Sequence, residues 1–423
     1  RGVAAALQTA MARRIAAHWT RLALADAPSA RSSHKISAID GRGYLFGGEA
    51  AARQSIDSTV HCLDPTAGTW TRPAAAYGGG APAAAPQPRV GHAQAAVSGK
   101  LLVFGGRTGE EMGEAALDDL WQWDPVSALW EPLDAAGGGA PPSPRSFHAA
   151  TAIGESLFVF GGCGAEGRLA DLHRFDASTR RWELLPPPPA DVAGRGGATL
   201  EAAPKGDALW LVGGFAGHET NDLLRFCFKT RAWQRKPSGW LRPRSVCAAM
   251  AMPDALLLFG GEVSPSDRGH AGAGGFAGDL LAIDPLDGEL QELSVVAPGE
   301  AALRELKWQA EQLRRQMAAA AAEEDFDQAA RLKTRLQAAQ AALETAQGQT
   351  AHTAVPAAEA AQAEAAQAEE APRARGWAAA AALSDREGVV FGGLAGSDAA
   401  PERLGDAWRV RLEVEYFGTD DYI

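Results

Sequence analysis

The residues best equipped for chemistry lie in one short stretch. In Glu262-Val263-Ser264-Pro265-Ser266-Asp267-Arg268-Gly269-His270, two carboxylates and an imidazole fall within nine residues. Carboxylate and imidazole ligands together suit Fe(II) with open coordination positions, which makes Glu262, Asp267 and His270 candidate ligands of a divalent metal. By spacing alone the same residues also suit an ordinary polar loop. A second recurrence is basic. Arg31, Arg89, Arg145, Arg195, Arg244 and Arg375 each stand in a short turn rich in Pro, Gly and Ser. A ring of such guanidinium groups would favour a sulfate, phosphate or carboxylate; the alternative is that several of them bond backbone carbonyls between repeat units. No Ser-His-Asp set, P-loop or dinucleotide fingerprint offers a third chemistry.

The elements that position these residues are read from a repeat. An apolar run ends in Gly-Gly at Gly47, Gly105, Gly161, Gly213, Gly260 and Gly392, at spacings of 58, 56, 52, 47 and 132 residues. Removing residues 299–370, a segment of different character and 72 residues long, brings the last gap to 60. Each unit has an Arg turn upstream of its glycines, and three place Asp and Trp six apart downstream, at Asp64 and Trp70, Asp124 and Trp130, Asp176 and Trp182. The fourth unit keeps Trp233 with Cys227 at the Asp position; the fifth keeps Asp284 with Leu290 for Trp. These parts in this order resemble the kelch motif. The resemblance implies an all-β, six-bladed kelch β-propeller of four-stranded blades, which leaves most of the repeated Gly, Asp and Trp residues structural. The apolar strand before each Gly-Gly reads as buried on both faces, and the Trp as filling the gap between blades.

The sixth unit lacks Asp-x5-Trp after Trp408, whereas His18-Trp19-Thr20-Arg21-Leu22 is an orphan outer strand. Pairing the two removes two sheet edges and closes the ring. The expected organisation is an extension over 1–17, helical or the remnant of a transit sequence; blades one to five with the closing strand over 18–298; an inserted antiparallel α-helical hairpin over 299–346; a flexible Ala/Glu linker over 347–371; the sixth blade over 372–412; and an acidic tail over 413–423.

The insertion rests on heptad spacing. Apolar residues recur at Leu303, Leu306, Ala310, Leu313 and Met317, then at Ala329, Leu332, Leu336, Ala339 and Leu343, on either side of a polar break. That is the seam of two packed helices. Within it, the stretch from Glu324 through Phe326 and Arg331 to Leu332, with Leu336 downstream, resembles the UVR motif, a helical hairpin of excision-repair subunits that pairs with a second hairpin. The resemblance implies a protein partner or a second copy, held through Leu306, Leu313, Phe326, Arg331, Leu332 and Leu336. The alternative is an alanine-rich helical excursion without a partner.

Composition narrows the function classes. A formal charge of −12 argues against nucleic acid as the main partner. Four dispersed cysteines without CxxC indicate neither a disulfide framework nor a thiolate metal site. No run approaches a membrane span, so a soluble protein in a reducing compartment, cytoplasm or chloroplast, is expected.

Arg31-Ser32-Ser33-His34, Phe160-Gly161-Gly162-Cys163-Gly164, Gly213-Gly214-Phe215-Ala216-Gly217, Gly269-His270-Ala271-Gly272-Ala273-Gly274 and Arg375-Gly376-Trp377 together resemble the plant kelch proteins that include the nitrile-specifier and thiocyanate-forming proteins. That resemblance implies an iron site of the form Glu-x3-Asp-x3-His on the loop after the fifth Gly-Gly. Glu262 and His270 match its outer positions; Ser266 stands at the middle one, with Asp267 a residue late. It also implies substrate sulfate bound by channel-mouth arginines beside a tryptophan, for which Arg89 and Trp377 are the nearest matches. Two functions follow as expectations. The first is an interaction scaffold or assembly subunit, contacting partners through its mouth loops and hairpin. The second is an iron-dependent, specifier-like lyase acting on a small sulfated substrate.

Overall fold

The computed structural model describes residues 13–22, 25–74, 84–109, 116–293 and 371–416, with helical backbone at the isolated positions Arg314, Met317, Lys333, Leu336 and Gln337. The chain divides into two compact units. The first, residues 1–15, 21–293 and 373–423, carries the blades. The second joins Ala16–Thr20 to Ser294–Pro372, and the hairpin expected over 299–346 and the linker after it lie almost wholly outside the described residues. The five isolated helical positions do not establish a hairpin.

Six antiparallel four-stranded sheets make the propeller. Blade one comprises Lys35–Ile39, Arg42–Phe46, His61–Asp64 and Thr69–Thr71; its successors repeat that order, with innermost strands Ala93–Val97, Ala149–Ile153, Thr199–Ala202, Ala248–Met252 and Ala379–Ala382. Neighbouring innermost strands touch from blade one round to blade six and back to one. In the sixth sheet the order runs from Arg13–Arg21 at the outer edge through Ala400–Tyr416 and Glu387–Ser397 to Ala379–Ala382. The closing strand therefore comes from the N-terminal side. It begins at Arg13, inside the expected extension, and its partner runs on to Tyr416, through residues read as tail.

The repeated residues hold this architecture in separate ways. Asp64 accepts backbone N–H groups of Thr66 and Ala67 at 3.0 and 2.9 Å, capping the turn into the outer strand; Asp124, Asp176 and Asp284 do the same in their blades. In blades one to four the turn Trp packs against the Phe before Gly-Gly of the preceding blade. Ring centroids are 5.2 Å apart for Trp70 and Phe391, 5.0 Å for Trp130 and Phe46, and 5.3 Å for Trp182 and Phe104. A buried ring of this size contributes on the order of 4 kcal/mol of apolar burial. Where the fifth blade has Leu290 instead, Trp210 of blade four fills the gap and donates Nε1–H to the Pro285 carbonyl at 3.1 Å.

The second glycine of each Gly-Gly donates its N–H to the carbonyl of the next blade's Arg. Gly48 bonds Arg89, Gly106 bonds Arg145, and so on to Gly393, which bonds Arg31, at 2.8–3.0 Å throughout. Six hydrogen bonds thus run once around the ring. At Gly48, φ is +99°, and a Cβ would lie 2.8 Å from the Ser32 carbonyl oxygen, so no other residue fits this crossing.

Candidate functional site

All six repeated arginines are structural. Arg145 is typical: it is fully buried, and its Nη1 donates to the Gly161 carbonyl at 3.0 Å while its two terminal nitrogens grip Asp171 at 2.7 and 2.8 Å. Arg89 does this with Gly105 and Asp119, Arg244 with Gly260 and Asp279, and Arg375 with Gly392 and Asp406, while Arg195 reaches Gly213, Thr220 and Asp222 through Nη1 alone. Arg31 bonds Gly47 and lies 3.8 Å from Asp57. The expected collar of guanidinium groups awaiting an anion is therefore corrected. Each charge is neutralised within its own blade and sits at most 2% exposed. The aspartates were missed in the sequence, although Asp119, Asp171, Asp222 and Asp279 each stand five residues before the repeat's Asp position.

Inward of the arginines a second ring closes. Residues Ser33, Gly91, Phe147, Gly197, Val246 and Trp377 all have φ between +50° and +62°. Each donates its N–H to the preceding member's carbonyl, from Gly91 to Ser33 round to Ser33 to Trp377, at 2.6–3.2 Å. Blades three and six face each other, and from them the Phe147 and Trp377 rings meet across the axis, centroids 5.4 Å apart and edge to face. The channel is thereby lidded at this end.

Above the lid lies a cavity of about 280 Å³. Phe147, Phe215, Val246 and Trp377 give it an apolar floor and wall, Arg53 and Arg168 supply cations, and Glu262 a carboxylate. The Arg168 guanidinium sits 4.7 Å from the centre of the Phe215 ring, a cation–π contact that holds it at the wall. Glu262 follows the fifth Gly-Gly, and its backbone pairs with Ser245. Glu219, in the adjacent blade, is buried, and burial with the charge of Glu262 nearby pushes its carboxyl up to about 7. Of the expected site residues, then, Trp377 and Glu262 come together here, and the six arginines do not.

The metal expectation fares differently. Glu262 lines the cavity, while Asp267 is exposed outside that lining. Ser266 is committed elsewhere: its hydroxyl donates to Asp398, whose other oxygen accepts the Asp267 N–H at 3.1 Å, and Arg268 Nη1 reaches the Asp398 carbonyl at 2.6 Å. Asp398, distant in sequence, pins the loop, and no local signal announced it. The backbone of His270 lies in a single helical turn, Gly269–Ala271, and its side chain is outside the described residues. Among the described residues no three His, Cys, Asp or Glu side chains converge as a metal site. Of the three expected ligands, the described side chains are Glu262 in the cavity lining and Asp267 on the exposed loop, and the fit to Fe(II) turns on His270. Leu306, Leu313, Phe326, Arg331 and Leu332, the expected partner contacts, lie outside the described residues; Leu336 is buried. Cys62, Cys163, Cys227 and Cys247 are all free, and no described helix is long and apolar enough to cross a membrane.

Comparison with known proteins agrees with this geometry. A family model for the KLHDC2/KLHL20/DRC7 Kelch-repeats domain matches residues 33–261. The chain is 28% identical over 305 residues to N-(sulfonatooxy)prop-2-enimidothioate sulfolyase of Thlaspi arvense, covering 65% of this chain and 83% of that protein. It is 26% identical over 257 residues to Kelch domain-containing protein 3 of Bos taurus, covering 56% and 63%. To acyl-CoA-binding domain-containing protein 4 of Arabidopsis thaliana it is 28% identical over 249 residues, covering 55% of this chain and 35% of that one.

Proposed function

This chain belongs to the kelch-repeat family, and from that premise we propose that it is a binding propeller, an interaction scaffold that engages its partner at the lidded mouth. The observation that carries this reading is the mouth cavity. An aromatic floor of Phe147 and Trp377, flanked by Arg53 and Arg168, combines apolar area with cations, the residue types that dominate binding energy where proteins meet. Its walls come from blades one, three, four, five and six, so a partner seated there reads several loops at once. Residues 299–346 are the second contact under this reading. The test is site-specific photocrosslinking: a benzophenone side chain at Pro265, in the cavity wall, should capture a defined partner, and one at Gly154, on an exposed turn between the first two strands of blade three, should not. Equal capture from both positions overturns the mouth as the working face. Replacing 299–370 by a Gly-Ser linker should leave the propeller folded and weaken capture.

The similarity that spans 83% of the Thlaspi arvense sulfolyase favours a second reading. Here a small sulfated substrate would enter the same cavity, its sulfate toward Arg53 and Arg168 and its body against Trp377. This reading requires Glu262, Asp267 and His270 to converge on Fe(II). Calorimetric titration with Fe(II), together with formation of nitrile or thiocyanate in place of the spontaneous isothiocyanate from a freshly generated glucosinolate aglycone, tests it. Absence of both signals removes it and leaves the scaffold.

A further inference from the structure

Below the Phe147–Trp377 lid the channel widens to a lumen of about 360 Å³, walled by the six innermost strands. Strand register defines its levels. The residues paired with the one before each Gly-Gly are Lys35, Ala93, Ala149, Thr199, Ala248 and Ala379; two residues deeper come Ser37, Ala95, Thr151, Glu201, Met250 and Ala381. One cation and one carboxylate thus stand in a tube made mostly of alanine. Blades one and four are diametrically opposed in a six-membered ring, so Lys35 and Glu201 face each other across it. Their side chains interact electrostatically, yet neither makes a hydrogen bond or ion pair with the other or with another described residue. A third group is also open: Gln94, 7% exposed, donates from Nε2 to the Tyr44 carbonyl at 2.8 Å, but its Oε1 has no partner.

We propose that this lumen binds a small zwitterion of the α-amino-acid class, its carboxylate against Lys35 and its ammonium against Glu201. Three observations select that class. The volume stands at the low end of the roughly 300–1,000 Å³ of small-ligand pockets, which admits a small molecule and not a macromolecule. Two opposite charges stand partly buried on opposite walls of the lumen without a side-chain partner in the protein, an arrangement that a ligand bearing the complementary pair satisfies at both ends. The lid fixes polarity: Lys35 lies at the closed end and Glu201 one level toward the other face, where Ala38, Ala96, Ala152, Ala202, Ala251 and Ala382 are partly exposed, so a ligand enters carboxylate first. Enclosure lowers the Lys35 amine and pushes the Glu201 carboxyl up to about 7, each charge partly offsetting the other's shift. A bound ammonium would return Glu201 toward the ordinary carboxylate range.

The site is independent of the mouth and does not rest on either reading of it. Calorimetric titration of the full chain with glycine and L-alanine tests the proposal, with N-acetylglycine and glycine amide, which keep one charge each, as controls. The expected result is one amino acid bound per chain, with both controls at least tenfold weaker. Lys35→Met and Glu201→Gln should each lose at least tenfold in affinity for the amino acid, and the double exchange Lys35→Glu with Glu201→Lys, which keeps both charges, should bind again. If any variant fails to fold, the single-charge controls on the unaltered protein still decide. No heat with either amino acid overturns the proposal, as does N-acetylglycine binding equal to glycine, which would leave a simple anion site.

Discussion

Phe147 and Trp377 touch across the axis of the propeller, 5.4 Å between ring centres, although 230 residues separate them in the chain and both stand in left-handed backbone. Their contact divides the interior into the mouth cavity above and the charged lumen below. The left-handed turn makes this possible, because it swings a residue of the Arg turn inward over the channel. In blades two and four the same position is Gly, which leaves room for the two rings. A Cβ on Gly91 would lie 2.7 Å from the Phe147 ring.

That crowding gives the first prediction. Gly91→Ala should destabilise the protein by about 1–2 kcal/mol, from the left-handed backbone penalty together with the clash. Val246→Gly, at a β-branched residue with φ +50°, should be close to neutral, since relief of strain offsets lost packing and added chain entropy. Denaturant midpoints of both variants provide the check; equal losses would mean that the turn tolerates side chains without cost.

The Arg-Asp pairs supply the second. Arg145→Ala leaves the Gly161 carbonyl and the Asp171 carboxylate without their donor in a partly buried site, and should cost about 3 kcal/mol. Arg145→Lys should recover little, because an ammonium cannot span both Asp171 oxygens and the carbonyl in one plane. Urea unfolding of the two variants measures this, and a loss below about 0.5 kcal/mol for either would place the pair among negligible surface bridges.

Histidines set the acid limit. His34, His92 and His148 are buried edge-on to Phe391, Phe46 and Phe104. Burial holds all three neutral, lowering His34 and His148 from 6.5 to about 3 and His92 well below 6.5. The unfolded chain takes up these protons below about pH 6.5 and the native state does not. Stability is therefore undiminished above pH 6.5 and falls as pH drops toward 3, by up to about 1.4 kcal/mol per pH unit for each ring. Glu201 and Glu219, raised to about 7, pull the other way between pH 7 and 4.5, so the histidine contribution is read as a difference. His148→Gln, whose amide can still reach the Phe104 carbonyl that His148 meets at 3.2 Å, should show a flatter loss between pH 6.5 and 4.5 than the unaltered protein. Parallel pH profiles would contradict a neutral buried ring.

What the sequence made legible follows the locality of each residue's work. Gly-Gly, the turn Asp and the outer-strand Trp, where present, each serve one short piece of backbone within a blade, so six imperfect copies sufficed to read the propeller. The orientation of the arginines did not show, because it depends on aspartates 26–35 residues downstream, brought back by strand pairing. Phe147 and Asp398 were equally silent: the first acts across the axis, the second on a loop 131 residues away. Glu262 was found because it directly follows a repeat glycine, whereas Asp267, one residue from the expected ligand position, turns outward with its loop. The heptad seam over 299–346 lies outside the described residues and stays an expectation.

Ring closure is the last prediction and the most exacting for the fold. Strand Arg13–Arg21 covers the outer edge of Ala400–Tyr416, and its ends are tied down within the propeller. The Leu22 N–H donates to the Ala407 carbonyl at 2.9 Å, Gln291 Nε2 reaches the Ile15 carbonyl at 3.4 Å, and Arg13 pairs with Asp284 of blade five. Removing residues 1–22 would leave a strand of 17 residues with one edge unpaired. Such an edge is a template for intermolecular pairing, and only one of the six blades would then be incomplete. The deleted protein should melt at lower temperature and form concentration-dependent oligomers, and both effects should be reversed by adding a peptide of residues 13–22 in excess. The peptide separates loss of the closing strand from general damage, since only a vacant edge can take it up. An unchanged melting curve for the deletion, or no recovery with a peptide shown to bind, would mean that the two rings of inter-blade hydrogen bonds close the propeller without this strand.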